Sequence, residues 1–482
     1  MNIEKQLSKL LSIYVLLGLF LFSFNIFMPR NNLVLLYDSK RYFVCSIVIF
    51  SSLLLIFSAA VRANVIATLS SIPKNIQLLI GITFLFASIS NIFSDYFWIA
   101  QLDFFFTLTL LLTAPILMIY ISDHKSQLLV SLVWISLLLM LSIALMIWLQ
   151  VYFTYPLSVH SVFGFANIRF LNRLHIWLII PALYLYLIAR TPKARTLLKI
   201  VLSIDAALLI ITDVRGAAIA LTGGIVLLIW LEPKKRQQIL TIVMQAILIG
   251  YAIKLLFLYP IPSMLFSDQT FELGSIRTSS SGRWDIWQEV LSLSSFFGLG
   301  GDGYICKSTG YYGPHNSVLL LLVNWGLIPS LGFIGISTYL LLSVIKTKKR
   351  FQRMMGINLL VGIAYSLVSS VFDNALSQLM AIIALALFWC SYKKMGKTSC
   401  CKWRSVPHQI IILICICSVY FVAEQMYTRW DRYEILTVNE LLKPKFWLGL
   451  NCPQSLQPPF INAYHDYRAG AYFDGFITQR RL

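Results

Sequence analysis

Apolar residues in this chain fall in long unbroken runs rather than in the alternation of half-buried strands, and each run ends at a short polar or basic connection. The runs lie near residues 10–28, 42–61, 76–94, 104–121, 127–149, 174–189, 197–213, 216–231, 239–259, 327–345, 355–371, 375–391 and 408–424. Their lengths suit helices crossing roughly 30 Å of hydrocarbon. They predict an all-α polytopic integral membrane protein of about 12–13 transmembrane helices. In a bilayer each helix satisfies its own backbone hydrogen bonds, so a single packed domain can grow beyond the size at which a soluble chain divides. The N-terminal "MNIEKQLSKLLSIYVLLGLFLFSF" has a basic start, but its long run lacks a small-residue cleavage site and reads as a retained first span.

Charge adds an orientation. Only 12% of the 482 residues are charged, 58% are hydrophobic, and the net charge is +19. With the N-terminus inside, the inner connections hold 22 basic residues and the outer ones 9 before the C-terminal tail. The charge is therefore a topology signal and an attraction to anionic membrane lipid. Nucleic acid is excluded as a partner because the basic residues come in short scattered clusters. Irregular sequence concentrates outside, in 150–173 (which includes "YFTYPLSVHSVFGFANIRFLNR"), in 260–315 and in the tail. The expected organisation is a transmembrane domain over 1–424, with a large outer loop at about 260–326, and an outer tail over 425–482.

The long outer loop carries "SIRTSSSGRWDIWQEVLSLSSFFGLGGDGYICKSTGYYGPHNSVL". Arg283, Trp284, Trp287 and Glu289 come at helical spacing, followed by Gly298, Gly300, Gly301 and Gly303, then His315 and Asn316. The tryptophans suit an interfacial aromatic belt or a sugar platform. No strand precedes the glycines, so turn geometry is their default rather than a phosphate loop. Pro314 and Asn316 are helix-start residues, which makes His315 either a polar cap or a reactive group. In "SIDAALLIITDVRGAAIALTGG", Arg215 and Gly216 sit between two runs so short that the turn hardly leaves the membrane, with Asp205 and Asp213 nearby. A charge at such depth costs about 3 kcal/mol on insertion scales, which points to function, although snorkelling at a helix end also explains it. Asp373 lies in another tight outer turn, "SSVFDNALSQ". Of the cysteines only Cys306 and Cys452 fall outside, where they either pair or remain two unrelated thiols.

Four motifs in this order resemble the O-antigen ligase and polymerase superfamily of bacterial envelope glycan assembly: "DVRGA" at Arg215, "SGRWDIW" at Arg283, the "GLGGDGY" turn, and "PHNSVLLLLVNWGLIPSLGF" from Pro314. The resemblance covers roughly residues 197–375. It implies a C-type glycosyltransferase-like fold in the bacterial inner membrane, with its active site facing the periplasm. It also implies transfer of a glycan from an undecaprenyl-pyrophosphate donor to lipid A-core oligosaccharide, metal-independent and inverting. On it, His315 is the general base, Arg215 and Arg283 bind the pyrophosphate, Gly216 supports Arg215, Asn316 orients donor or acceptor, and Asp373 holds His315 in its useful tautomer. Glu289 and Asp302 are reserve candidates for acceptor contacts; His160, His175 and His465 lie outside the matched motifs.

The chemistry is coherent with those residue types. A glycosyl pyrophosphate has a good leaving group, so the enzyme needs fixed positive charge where negative charge grows, and a base for the acceptor hydroxyl. Arginine grips phosphate oxygens bidentately and stays charged. Histidine has an ordinary pKa of about 6.5, close to the working pH. No Asp-X-Asp pair is present to hold a metal under the pyrophosphate, and no cofactor is expected.

Relatives with a usual twelve-span layout keep both ends inside, whereas "SVPHQIILICICSVYFVAEQMY" predicts a thirteenth span here and an outer tail. A different acceptor is therefore open, as in a polysaccharide polymerase or a protein O-oligosaccharyltransferase. A transporter of lipid-linked glycan is the non-enzymatic alternative. It predicts essential charges near the midplane and repeated halves, neither of which the sequence displays.

Overall fold

The computed structural model describes residues 3–24, 33–153, 163–165, 168–266, 283–308, 313–392 and 406–431. Seventeen α-helices follow in chain order among them: α1 (Ile3–Phe24), α2 (Leu33–Phe57), α3 (Ala59–Leu69), α4 (Lys74–Ile92), α5 (Phe97–Tyr152), α6 (Ile168–Ile188), α7 (Pro192–Thr212), α8 (Arg215–Leu231), α9 (Arg236–Ile253), α10 (Ile261–Phe266), α11 (Arg283–Leu293), α12 (Gly303–Lys307), α13 (Ser317–Trp325), α14 (Leu327–Lys346), α15 (Arg350–Ser366), α16 (Ala375–Tyr392) and α17 (Val406–Asp431). The described residues contain no strand.

Among the described residues, eight helical segments are long and apolar enough to cross a membrane, and the described part of every span predicted from the sequence lies wholly or mostly on helix. The long α5 holds two of them. It breaks at His124, where the backbone leaves helical geometry (φ −123°) inside the polar stretch Asp123-His124-Lys125. The predicted last span is α17, which continues to Asp431; most of the tail, from residue 432, lies outside the described residues.

Two sets of connections gather at opposite ends of the bundle. At one end Glu232 pairs with Arg353 (2.6 Å) and Arg350 (3.2 Å), and Lys125 lies 5.6 Å from the centre of the Phe351 ring. These are connections the charge pattern assigns to the same side. At the other end Arg429 of α17 pairs with Asp38 of α2 at 2.8 Å, fully buried, and Ser90 at the end of α4 donates to the Asn324 carbonyl at 3.1 Å. His315 belongs to this second end.

Between the ends, small residues bring helices close, as expected where lipid offers no hydrophobic gain for association. Gly224 lets α8 lie against Val361 of α15, and Gly250 lets α9 approach the Ser203 carbonyl of α7. Trp177 of α6 fills the space over Gly362 of α15 and donates to Ser377 of α16 at 3.0 Å, so a large buried ring ties three helices. Polar pairs do the same between α6 and α7. Buried His175 bonds Asp205 at 2.9 Å, and Thr212 donates to Asn172 at 2.9 Å. His175 is thus a packing partner of α7; His160 and His465 lie outside the described residues.

Candidate active site

Three turns at the His315 end carry the candidate residues. Helix α7 stops at Asp213, whose backbone is left-handed (φ 44°), and α8 begins two residues later at Arg215. Gly216 is needed for the close approach that follows. A Cβ there would come within 2.8 Å of Val368 and 3.3 Å of Tyr365, so its absence lets the start of α8 lie against the end of α15. Arg215 is thereby fixed at the junction of the two helices.

His315 is held from both sides. Asn316 caps α13, its side-chain oxygen accepting from the backbone N–H groups of Val318 (2.9 Å) and Leu319 (3.2 Å). The residue before the cap takes a left-handed backbone (φ 53°), a conformation that costs a β-carbon residue on the order of 1 kcal/mol and persists only where its surroundings dictate it. Those surroundings are visible. Trp287 Nε1 donates to the Pro314 carbonyl at 2.9 Å, and His315 Nδ1 is hydrogen-bonded to Ser370 Oγ at 3.0 Å. Trp287 thereby braces the histidine turn.

Arg283 opens α11, which is anchored by Ile286 and Val290 in a small apolar cluster with Tyr304 and Val323. Tyr304 Oη donates to Glu289 at 3.0 Å. The glycine turn is a docking device. Backbone N–H groups of Leu299 and Gly300 donate to the Val323 and Asn324 carbonyls at the end of α13, and Gly301 N–H donates to Asn91 Oδ1. Gly298 and Gly326 have positive φ, and each lies too close to backbone to carry a side chain, Gly298 against Asn324 and Gly326, and Gly326 against Phe296 and Phe297. Glu289, Asp302 and the glycines do not line the cavity described next.

That cavity, of about 880 Å³, gathers Arg215, Gly216, Arg283 and His315, residues the sequence placed on separate turns. Neither Arg215 nor Arg283 forms a hydrogen bond or ion pair with a described residue, so two guanidinium groups line the cavity with their charge unspent. A third arginine, Arg169 on the first turn of α6, lines it too. Away from the histidine the walls become apolar: Gly223, Gly224 and Leu227 of α8 face Ile334 and Leu341 of α14 over Leu360 of α15. Ile219, Ile334 and Leu341 are exposed, so this arm opens sideways onto the lipid-facing surface of the bundle.

Asp373 lies behind the cavity wall. It is buried in the short 3-10 turn Val371–Asp373, its carbonyl accepts from Arg41 Nη2 at 3.5 Å, and its charge acts on Arg173. The His315 ring contact assigned to it from the sequence is made by Ser370. Cys306 is disulfide-bonded; Cys452 lies outside the described residues.

Sequence reasoning missed Arg169, Arg173 and Ser370. The two arginines had a signal: they are four residues apart, on one helical face, in an outer connection where the charge bias disfavours basic residues. Ser370 had none, since a serine in a turn is unremarkable until its partner is known.

Electrostatics follow from this crowding. Burial first, and then the guanidinium groups of Arg173, Arg169 and Arg283, push the His315 imidazole down to about 3. The ring is therefore neutral, its Nε2 makes no hydrogen bond to a described residue, and it faces a cavity dominated by positive charge. Among the described residues no three His, Cys, Asp or Glu side chains gather as metal ligands do. Such a site can bind a strongly acidic oxyanion and accept a proton beside it.

Residues 200–334 match the family model described as O-antigen ligase. Over that stretch the chain is similar to the O-antigen ligases. The matched stretch includes Arg215, Arg283 and His315, and it leaves Arg169, Arg173 and Ser370 outside. The match supports, at a coarse level, an enzyme of the ligase or polymerase type, as members of that family are. No curated protein and no solved structure matches the chain.

Proposed function

We propose that this protein transfers a glycan from undecaprenyl pyrophosphate to lipid A-core oligosaccharide at the periplasmic face of the bacterial inner membrane. The observation that carries the reading is the cavity. Two unspent guanidinium groups and a neutral histidine line one end of it, and an apolar arm opening towards lipid forms the other. A polyprenyl pyrophosphate has the same division, a charged head on a hydrocarbon tail.

The step balances with these groups alone. Arg215 and Arg283, with Arg169 beside them, grip the pyrophosphate. The acceptor hydroxyl gives its proton to His315 Nε2 while its oxygen forms a bond to the anomeric carbon from the face opposite the leaving group. The bond from that carbon to the phosphate oxygen breaks, its electron pair stays on the pyrophosphate, and the configuration inverts. The guanidinium groups are already in place where that charge grows, which is the form of stabilisation that costs no reorganisation during the reaction. Ser370 accepts from Nδ1–H in this scheme, which leaves Nε2 as the unprotonated nitrogen. Asn316 contributes as the cap that fixes the turn, with its amide N–H groups left for a sugar hydroxyl.

No step calls for a divalent metal. The test is transfer by the purified protein from undecaprenyl-pyrophosphate glycan, with lipid A-core, a second lipid-linked repeat unit and a protein acceptor offered separately, with and without chelator. Glycan on lipid A-core in the presence of chelator is the expected result. Extension of the repeat unit instead makes the protein a polymerase, and dependence on added metal removes the metal-free mechanism.

A further inference from the structure

Arg173 has no place in the scheme above, and its position is costly. It is buried on α6 (4% exposed), does not line the cavity, and forms no ion pair with a described residue. Its guanidinium lies 5.1 Å from the Phe170 ring centre, and its Nε donates to Ser369 Oγ at 3.2 Å. The next residue, Ser370, holds His315. Two adjacent serines of one turn thus set a buried cation and the proposed base side by side.

We propose that Arg173 is a positioning charge acting through His315: with Arg169 and Arg283 it keeps the imidazole from accepting a proton until the donor's pyrophosphate occupies the cavity, so that donor binding turns the base on. This rests on the reading that the cavity binds a pyrophosphate.

The groups facing the ring are overwhelmingly of one sign. From α6 come Arg169 and Arg173, from the C-cap of α7 Asp213, from α8 Arg215, from α11 Arg283, from α15 the neutral Tyr365, and from the following turn the two serines with Asp373 behind them. Arg41 of α2 adds a further positive charge beside Arg173. Burial is the largest cause of the ring's low basicity and persists in the complex, but the arginines' share is reversible. A pyrophosphate carries at least two negative charges into the cavity, offsets the guanidinium groups, and attracts an imidazolium directly. An opposite charge a few ångströms away shifts a titration by about 1–3 units. The base is then competent only when an electrophile is in place. After transfer the imidazolium stays paired with the pyrophosphate product, and it releases its proton as that product leaves.

The test is a pH titration of the full-length protein labelled with 15N-histidine, the His315 signal being the one lost in His315→Gln, with and without farnesyl pyrophosphate as a short-tailed probe. In the wild type the protonation midpoint should rise by about 1–3 units on adding the probe. Arg173→Gln should raise the midpoint of the probe-free protein by about one unit and narrow the change on binding, whereas Arg173→Lys, which keeps the charge, should preserve both. A wild-type midpoint that stays put while other resonances report binding overturns the inference, whether or not the glutamine variant folds. Absence of any binding removes the pyrophosphate site itself, and the inference with it.

Discussion

His315 Nδ1 and Ser370 Oγ lie 3.0 Å apart although 55 positions separate them in the chain. One hydrogen bond thereby joins the turn before α13 to the turn before α16. It leaves Nε2 as the only ring nitrogen facing the cavity without a partner among the described residues. Much of the proposed chemistry depends on that division of the ring.

His315→Gln should lower transfer by about 10²–10⁴-fold, the usual contribution of a positioned acid–base group, while leaving farnesyl pyrophosphate binding intact. Ser370→Ala should cost less, and Ser370→Thr, which restores the hydroxyl, should recover most of the loss. Turnover and probe affinity measured on the same preparations check this. A Ser370→Ala variant with full turnover would show that the ring needs no holder.

Arg215→Lys and Arg283→Lys keep the charge and lose the planar fork. If each grips the pyrophosphate bidentately, either should lower transfer on the order of 10²-fold. Calorimetric binding of farnesyl pyrophosphate should weaken in parallel. Full activity in both lysine variants would mean that charge alone suffices.

The apolar arm can be tested through two neighbouring glycines. A Cβ at Gly223 meets nothing within 4 Å, whereas one at Gly224 runs into Val361 of α15. Gly223→Leu should therefore fold normally and raise KM for the polyprenyl donor, with little effect on farnesyl pyrophosphate, whose tail is shorter. Gly224→Leu should instead lower thermal stability by separating α8 from α15. The reverse pattern would place the donor's tail elsewhere.

Cys306 is disulfide-bonded, whereas Cys45, Cys390, Cys415 and Cys417 are in no disulfide. Cys452 is the partner that the charge pattern favours, because Cys400 and Cys401 fall in a connection rich in lysine and assigned to the inner side. Alkylation before and after reduction, followed by peptide mapping, should recover one linked pair, Cys306 with Cys452. Linkage to Cys400 or Cys401 would overturn the orientation as well as the pairing.

The helices were legible from the sequence because a hydrocarbon solvent permits few solutions: each apolar run of sufficient length became a helix, including the pair merged in α5 and broken at Asp123-His124-Lys125. The site was legible where chemistry is conspicuous. Arg215 interrupts two apolar runs that leave little room for a turn between them, and Arg283 and His315 share one loop. What stayed hidden was relational. Arg169 and Arg173 reach the site only because α6 packs against α15, and Ser370 is defined by its distance from His315 rather than by anything around it in the sequence. Asp373 looked the better holder for the histidine as the acidic residue of its turn. The fold instead buries it behind the cavity wall, beside Arg41.

The structure of the protein with undecaprenyl-pyrophosphate-linked glycan bound, determined on the His315→Gln variant so that the donor is not consumed, tests the central claim most directly. The diphosphate should lie within hydrogen-bond distance of both Arg215 and Arg283, with the polyprenyl tail along Gly223 and Leu227 and the anomeric carbon turned towards residue 315. A diphosphate bound elsewhere, or an anomeric carbon on the far side of the arginines from residue 315, would contradict it.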